Sequence, residues 1–169
     1  AKIIVISHFG RPKGKVNPEM SIKQLLNHTQ KLLGDIKVKF IDDCIGEKVK
    51  EAVAKTNYGE VIMLENLRFH DAETKNDPEF SKEIASLGNL YVNDAFSCSH
   101  RYHASITGIP KTLKSCAGFL MESELDNLTN LLENDQEPMM AIVGGAKVST
   151  KIDLINSLST KAQSILVAG

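Results

Sequence analysis

Arg11, Arg68 and Arg101 are the only arginines in this 169-residue chain, which carries seventeen lysines. Each stands a few residues beyond the carboxyl end of a segment that reads as a β-strand. Four of the five histidines accompany them: His8 before Arg11, His70 after Arg68, and His100 and His103 flanking Arg101. A guanidinium is a planar donor fork that grips carboxylate or phosphate two oxygens at a time, which an ammonium cannot do. In an open parallel sheet the ligand crevice lies beyond the carboxyl ends of the strands, so loops in this position converge. A lysine-rich chain that keeps its arginines for such loops is expected to bind a small polyanion there. Taken singly, each arginine reads as a surface residue or the partner of a carboxylate such as Glu65 or Asp94. The repeated topological position favours a site.

The stretch "AIVGGAKVSTK" carries a second anion signal. Gly144 and Gly145 end an apolar strand, and Lys147 and Lys151 fall four apart in the first turns of the helix expected to follow. Cations there oppose the helix dipole and each other, costing about 0.3 kcal/mol or more apiece. A phosphate chain reverses that sign, because glycines let backbone N–H groups approach it and the lysines neutralise it. A glycine turn with solvated lysines is the plainer alternative. The G-x-x-x-x-G-K-[ST] loop is absent.

Other constellations carry less. Cys98, His100 and His103 have zinc-ligand chemistry, but Arg101 sits among them and no second cluster supplies a fourth ligand. Asp42 and Asp43 offer an acid/base pair or merely a solvated strand end. No G-x-S-x-G elbow supports a serine nucleophile.

The elements that must position these groups alternate between strand and helix. Ile3–Ile6 reads as a strand buried on both faces. Ser21 and Gln24 have capping-box spacing ahead of a helix with Leu25, Leu26, Leu32 and Leu33 on one side, ended by Gly34. Strand "VKFID", helix "GEKVKEAVAK" and strand "VIML" follow. Asp77 and Pro78 then open a helix carrying Phe80, Ile84 and Leu87, with strand "LYV" beyond Gly88. Residues 93–118 show no period and read as a long functional loop. Met121, Leu125, Leu128 and Leu132 step along an amphipathic helix; "NDQEP" breaks the chain, and "MMAIVGG" to "SILVAG" makes one βαβ unit. The expected class is α/β, a parallel-sheet Rossmann-like three-layer sandwich.

The totals exclude several partners. Twenty basic and twenty-one acidic residues leave a net charge of −1, so no global field attracts nucleic acid or an anionic membrane. No apolar run approaches the ~20 residues of a membrane span. Three widely spaced cysteines argue for reduced thiols and a cytoplasmic protein.

Four stretches in order resemble the phosphoglycerate kinase family: "SHFGRPKGK" its S-H-L-G-R-P loop, "LENLRFHDAETKND" its L-E-N-L-R-F segment, "YVNDAFSCSHRYHAS" its N-D-A-F…H-R-x-H-A-S segment, and "AIVGGAKVSTKI" its G-G-A-K-V-x-x-K-I turn. "AGFLMESEL" resembles the start of the helix joining that family's two lobes. The likeness spans essentially the whole chain. Ser97, Cys98 and Ser99 depart from the commoner Gly-Thr-Ala, and Tyr102 stands where Ala is usual.

The resemblance implies phosphoryl transfer between 1,3-bisphosphoglycerate and ADP, giving 3-phosphoglycerate and ATP, with Mg2+. It implies that His8, Arg11, Arg68, His100 and Arg101 hold the phosphoglycerate. Gly144, Gly145, Lys147, Lys151 and Gly169 would meet the nucleotide, with Arg11 and Lys147 nearest the phosphoryl in flight. It implies a phosphoglycerate lobe at 1–118, an interdomain helix and linker at 119–136, and the start of a nucleotide lobe at 137–169, in lobes that close to exclude water. Family members are monomers of more than twice this length. The chain is therefore expected to be a two-lobed kinase truncated at both ends, lacking a first strand inside the sheet and the magnesium ligand, and inactive alone. A non-catalytic anion-binding module is the competing reading.

Overall fold

The computed structural model describes residues 1–133, 138–145 and 148–168. The chain divides into two compact units, residues 1–118 and 119–169.

In the first unit, β1 (Ile3–Val5), β2 (Val38–Ile41) and β3 (Val61–Leu64) form a parallel sheet in the order β1-β3-β2. The "VIML" strand is the central one, and all four of its side chains are buried, as an apolar run without alternation requires. Each such side chain contributes roughly 1.5–3 kcal/mol on burial. β1 departs from expectation. Among the described residues it pairs with β3 alone, and its side chains divide by face: Ile4 and Ile6 pack on the core, while Ile3 and Val5 stay 53% and 36% exposed because no element covers that face.

Helices α1 (Leu26–Leu33), α2 (Glu47–Ala54), α3 (Asp71–Lys75) and α4 (Pro78–Ala85) connect these strands and those that follow. Asp77 caps α4 as its sequence predicts: Oδ1 accepts from the N–H groups of Glu79 and Phe80 at 3.0 and 2.9 Å. Such a cap is worth about 1 kcal/mol. Phe80 and Ile84 face the core, beside Val49 of α2 and Leu64 of β3. Ser21 behaves differently. Its hydroxyl accepts from Lys23 N–H rather than from Gln24, and α1 is preceded by a 3-10 turn over Ile22–Leu25. Leu32 is 72% exposed, so the leucine side of α1 is no core face.

The expected structureless loop at 93–118 is in fact built. β4 (Tyr91–Asn93) pairs in parallel with β5 (Ser115–Ala117), and between them lie a 3-10 turn at Phe96–Cys98, a π-type turn at Ala104–Gly108 and a second 3-10 turn at Ile109–Lys111. Short turns of this kind have no 2- or 3.6-residue period to reveal them. Ala104 and Ile109 anchor the segment in the core.

The second unit holds α5 (Phe119–Glu133) and one βαβ unit: β6 (Met140–Gly144), α6 (Ile152–Ser159) and β7 (Ser164–Ala168), the strands parallel and in register from Met140/Ser164 to Gly144/Ala168. A 3-10 turn over Val148–Lys151 precedes α6. α5 forms where its Leu- and Glu-rich sequence favours helix, but Leu125 and Leu128 remain 46% and 42% exposed. Among the described residues every strand pair is parallel, in keeping with the α/β class.

Candidate functional site

The first unit gathers its chemistry at the carboxyl ends of β1, β3 and β4. Asn66, fully buried after β3, is the organising residue. Its side-chain NH2 donates to the carbonyls of Phe9 and Met20, each at 2.8 Å, and its Oδ1 accepts from Arg68 N–H at 3.0 Å. Glu65 accepts from Ser21 Oγ at 2.5 Å, from Ile22 N–H at 2.7 Å and from Asn66 N–H at 2.8 Å. These two residues weld the 7–22 loop to the end of the central strand. Arg68 continues the connection by donating from Nη1 to the Gly10 carbonyl at 2.9 Å. Gly10 has a φ of +66°, and a Cβ there would lie 2.8 Å from Met20 Sδ, so the turn favours glycine.

The β4 side is fixed by Glu73 of α3, which has no solvent exposure. Its carboxylate accepts from Ser105 N–H at 3.1 Å and Ser105 Oγ at 2.6 Å, and lies 3.7 Å from His103 Nδ1. Tyr91 Oη donates to the Ser105 carbonyl at 2.7 Å. Burial pushes the Glu73 carboxyl above its ordinary range, though the Ser105 hydrogen bonds and Arg68 oppose it. Cys98 Sγ lies 3.6 Å from His8 Nε2, joining the β4 loop to the β1 loop.

The basic groups share one electrostatic field. Burial lowers the His8 pKa first, and Arg68, His103 and Arg101 add to it. His103 is lowered by burial, then by Arg68, Arg101 and His100. Burial likewise lowers Arg68, with Arg101 and Arg11 repelling its charge. Arg68 therefore lies within electrostatic reach of Arg11, Arg101, His8 and His103, and His103 within reach of His100, while no carboxylate is ion-paired with any of the three arginines among the described residues. Of the plainer readings, the one in which Glu65 neutralises an arginine fails because that carboxylate is used by Ser21, Ile22 and Asn66, whereas Arg11 and Arg101 are exposed, as surface residues would be.

His70 takes a different course. Its Nε2 is 2.8 Å from Asp43 Oδ1, and Asp43, Cys44 and His70 bring their donor atoms within 4.8 Å of one another. Among the described residues Cys98, His100 and His103 do not gather in this way. Asp42 pairs with Lys48 at an exposed strand end. Sequence reading missed Glu73 and the Asp43–His70 pair. Glu73 resembles any solvated helix acid, whereas His70 and Asp43 meet only through the parallel register of β2 and β3.

In the second unit Gly144 ends β6 and Gly145 turns the chain with a φ of +127°. Lys151 stands just before α6 rather than inside it, and its ammonium donates to the Gly144 carbonyl at 2.6 Å. Lys147 and Gly169 lie outside the described residues.

A family model described as phosphoglycerate kinase matches residues 1–169. The chain belongs to the phosphoglycerate kinase family. Phosphoglycerate kinases of Orientia tsutsugamushi (strain Ikeda) and Granulibacter bethesdensis are each 52% identical to it over the whole chain. The chain spans 41% and 42% of their respective lengths. The solved phosphoglycerate kinases of Coxiella burnetii and Pyrococcus horikoshii superpose with TM-scores of 0.85 each, at 37% and 29% identity. They cover all of this chain, which matches 42% and 43% of theirs. Among the described residues no helix is long and apolar enough to cross a membrane.

Proposed function

We propose that these residues serve a phosphoglycerate kinase reaction, the transfer of the acyl phosphate of 1,3-bisphosphoglycerate to ADP. The observation that carries this reading is the half-buried Arg68, which lies in the electrostatic field of Arg11 and Arg101 with no carboxylate ion-paired to it among the described residues. A partly buried cation without a counter-charge is costly unless an anion completes it. A small acid bearing phosphate and carboxylate meets that need, and His8, Arg11, Arg68, His100 and Arg101 are assigned to hold it.

Phosphoryl transfer asks the protein chiefly for positioning and for cations around the equatorial oxygens. Arg11 is assigned to the phosphoryl in flight, and the Gly144–Gly145 turn, Lys147, Lys151 and Gly169 to the nucleotide phosphates. Lys151 is already drawn over the glycine turn by the Gly144 carbonyl. A phosphate oxygen is the better partner for that ammonium. Magnesium takes oxygen ligands, which a turn covered by an ammonium does not provide, so these residues do not fit the metal. As a member of this family, the intact protein is assigned to glycolysis in the cytoplasm and acts as a monomer. The 169 residues alone are assigned no turnover, because they span only 41% and 42% of the length of the kinases they match.

Calorimetry and a coupled activity assay on the full-length kinase carrying these residues test the reading. Arg68→Ala is expected to weaken 3-phosphoglycerate binding by about 30-fold, the worth of a charged hydrogen-bonding contact, with ADP affinity unchanged. Binding of 3-phosphoglycerate without turnover in the intact protein supports an anion-binding module instead.

A further inference from the structure

We propose that Asp43, Cys44 and His70 form a binding site for a thiophilic divalent cation of the zinc class. None of the three is assigned to phosphoglycerate or nucleotide. The thiol, imidazole and carboxylate come from two separate segments, the end of β2 and the turn after β3, and their donor atoms lie within 4.8 Å of one another. In a tetrahedral zinc site the ligand atoms stand about 3.3–3.6 Å apart, given the usual Zn–N, Zn–O and Zn–S bond lengths. The group therefore closes on an ion with movements of about 1 Å.

The donors are held from outside the cluster. The His70 ring packs against Phe80 with centroids 5.4 Å apart, and its Nε2 is aimed at Asp43 Oδ1 at 2.8 Å. Cys44 is fully buried and forms the floor, while the Asp43 and His70 side chains are 45% and 32% exposed, leaving the solvent side for entry and for a water as fourth ligand. One sulfur, one nitrogen and one oxygen suit zinc, and magnesium and calcium, which take oxygen alone, are disfavoured.

Burial, followed by the nearby carboxylates Asp43 and Glu73, pushes the Cys44 thiol well up, so coordination itself must supply the driving force for its deprotonation. On binding, the Cys44 S–H bond breaks, its proton passes to solvent and the sulfur pair forms the metal–sulfur bond, with no change of oxidation state. The bound ion would tie the end of β2 to the turn carrying Arg68, and it stabilises the fold by mass action.

Cobalt(II) is the probe, added to the reduced, chelator-stripped full-length protein. One equivalent is expected to produce a near-ultraviolet thiolate-to-cobalt charge-transfer band, which zinc abolishes and millimolar magnesium does not. Cys44→Ser is expected to remove the band. His70→Asn, which gives up the ring contact with Phe80 but leaves Asp43 and Cys44 in place, is expected to weaken cobalt binding by about 100-fold, the upper end of the loss seen for residues that merely support a ligand. Absence of the band in the unmutated protein overturns the proposal, as does equal affinity of the unmutated and His70→Asn proteins.

Discussion

Glu73 and Ser105 are joined by two hydrogen bonds in a place without solvent: Oε2 accepts from Ser105 N–H at 3.1 Å and Oε1 from Ser105 Oγ at 2.6 Å. The pair holds the segment that presents His103 to the arginine cluster. Because burial raises the Glu73 carboxyl, a negative charge there is disfavoured, and the hydrogen bonds matter more than the charge. Glu73→Ala is expected to cost about 2–4 kcal/mol by orphaning a buried N–H and hydroxyl. Glu73→Gln, whose amide oxygen still accepts from Ser105 N–H and whose NH2 donates to the hydroxyl, should cost less than half as much. Denaturant midpoints of the two variants compare them directly.

His8 and His103 are both pushed below the ordinary imidazole range, by burial first and then by the arginines. An anion that neutralises the guanidinium field raises both values, so bound protein holds more protons than free protein. Binding of 3-phosphoglycerate is therefore expected to take up protons near neutral pH and to tighten as pH falls from 8 to 6. Calorimetry in two buffers of different ionisation enthalpy measures the uptake. Equal apparent enthalpies in both would refute it.

The most legible parts of the sequence were those whose signals are local. Asp77-Pro78 fixed the start of α4, the unbroken "VIML" run identified the strand at the centre of its sheet, and the apolar-glycine-helix-apolar pattern of the second unit yielded β6, α6 and β7. The shared field of Arg68 with Arg11 and Arg101 was legible too, because topology puts strand-end loops near one another. What stayed hidden depends on tertiary partners. β5 and the π-type turn near it have no period, and the two-sided burial expected of Ile3–Ile6 needed a covering layer on the Ile3 and Val5 face that an apolar run cannot itself reveal. Glu73 is polar in a helix of five residues, and nothing in its neighbours predicts that Ser105 will need it.

Glu60 tests the electrostatics away from the site. It opens β3, where Lys39 Nζ lies 2.5 Å from Oε2 and Asn57 N–H donates to the same oxygen at 2.9 Å. The Lys39 hydrogen bond, followed by that of Asn57, lowers the carboxyl from 4.5 to about 2. A depressed folded-state value means the contribution is fully present above pH 4.5 and is lost as pH falls toward about 2. Glu60→Gln should accordingly unfold more easily than the unmutated protein at pH 7, with the difference shrinking through that window. A melting-temperature gap that stays constant down to pH 2 contradicts the assignment.

Gly10 links backbone geometry to anion binding. Its φ of +66° lies in the left-handed region, a Cβ would meet Met20 Sδ at 2.8 Å, and its carbonyl accepts from Arg68 Nη1. Gly10→Ala therefore combines the left-handed cost of about 1–2 kcal/mol with displacement of the flexible Met20 thioether. The loop must either shift, moving the Gly10 carbonyl off Arg68, or carry the strain. In the first case 3-phosphoglycerate affinity falls while stability changes little; in the second, stability falls and affinity persists. Arg68 is positioned by that carbonyl, so the first outcome is expected, with affinity lower by about 10-fold, equivalent to one neutral hydrogen bond. Measuring the melting temperature and the dissociation constant on the same variant separates the two, and unchanged values for both would show that the turn accommodates a side chain after all.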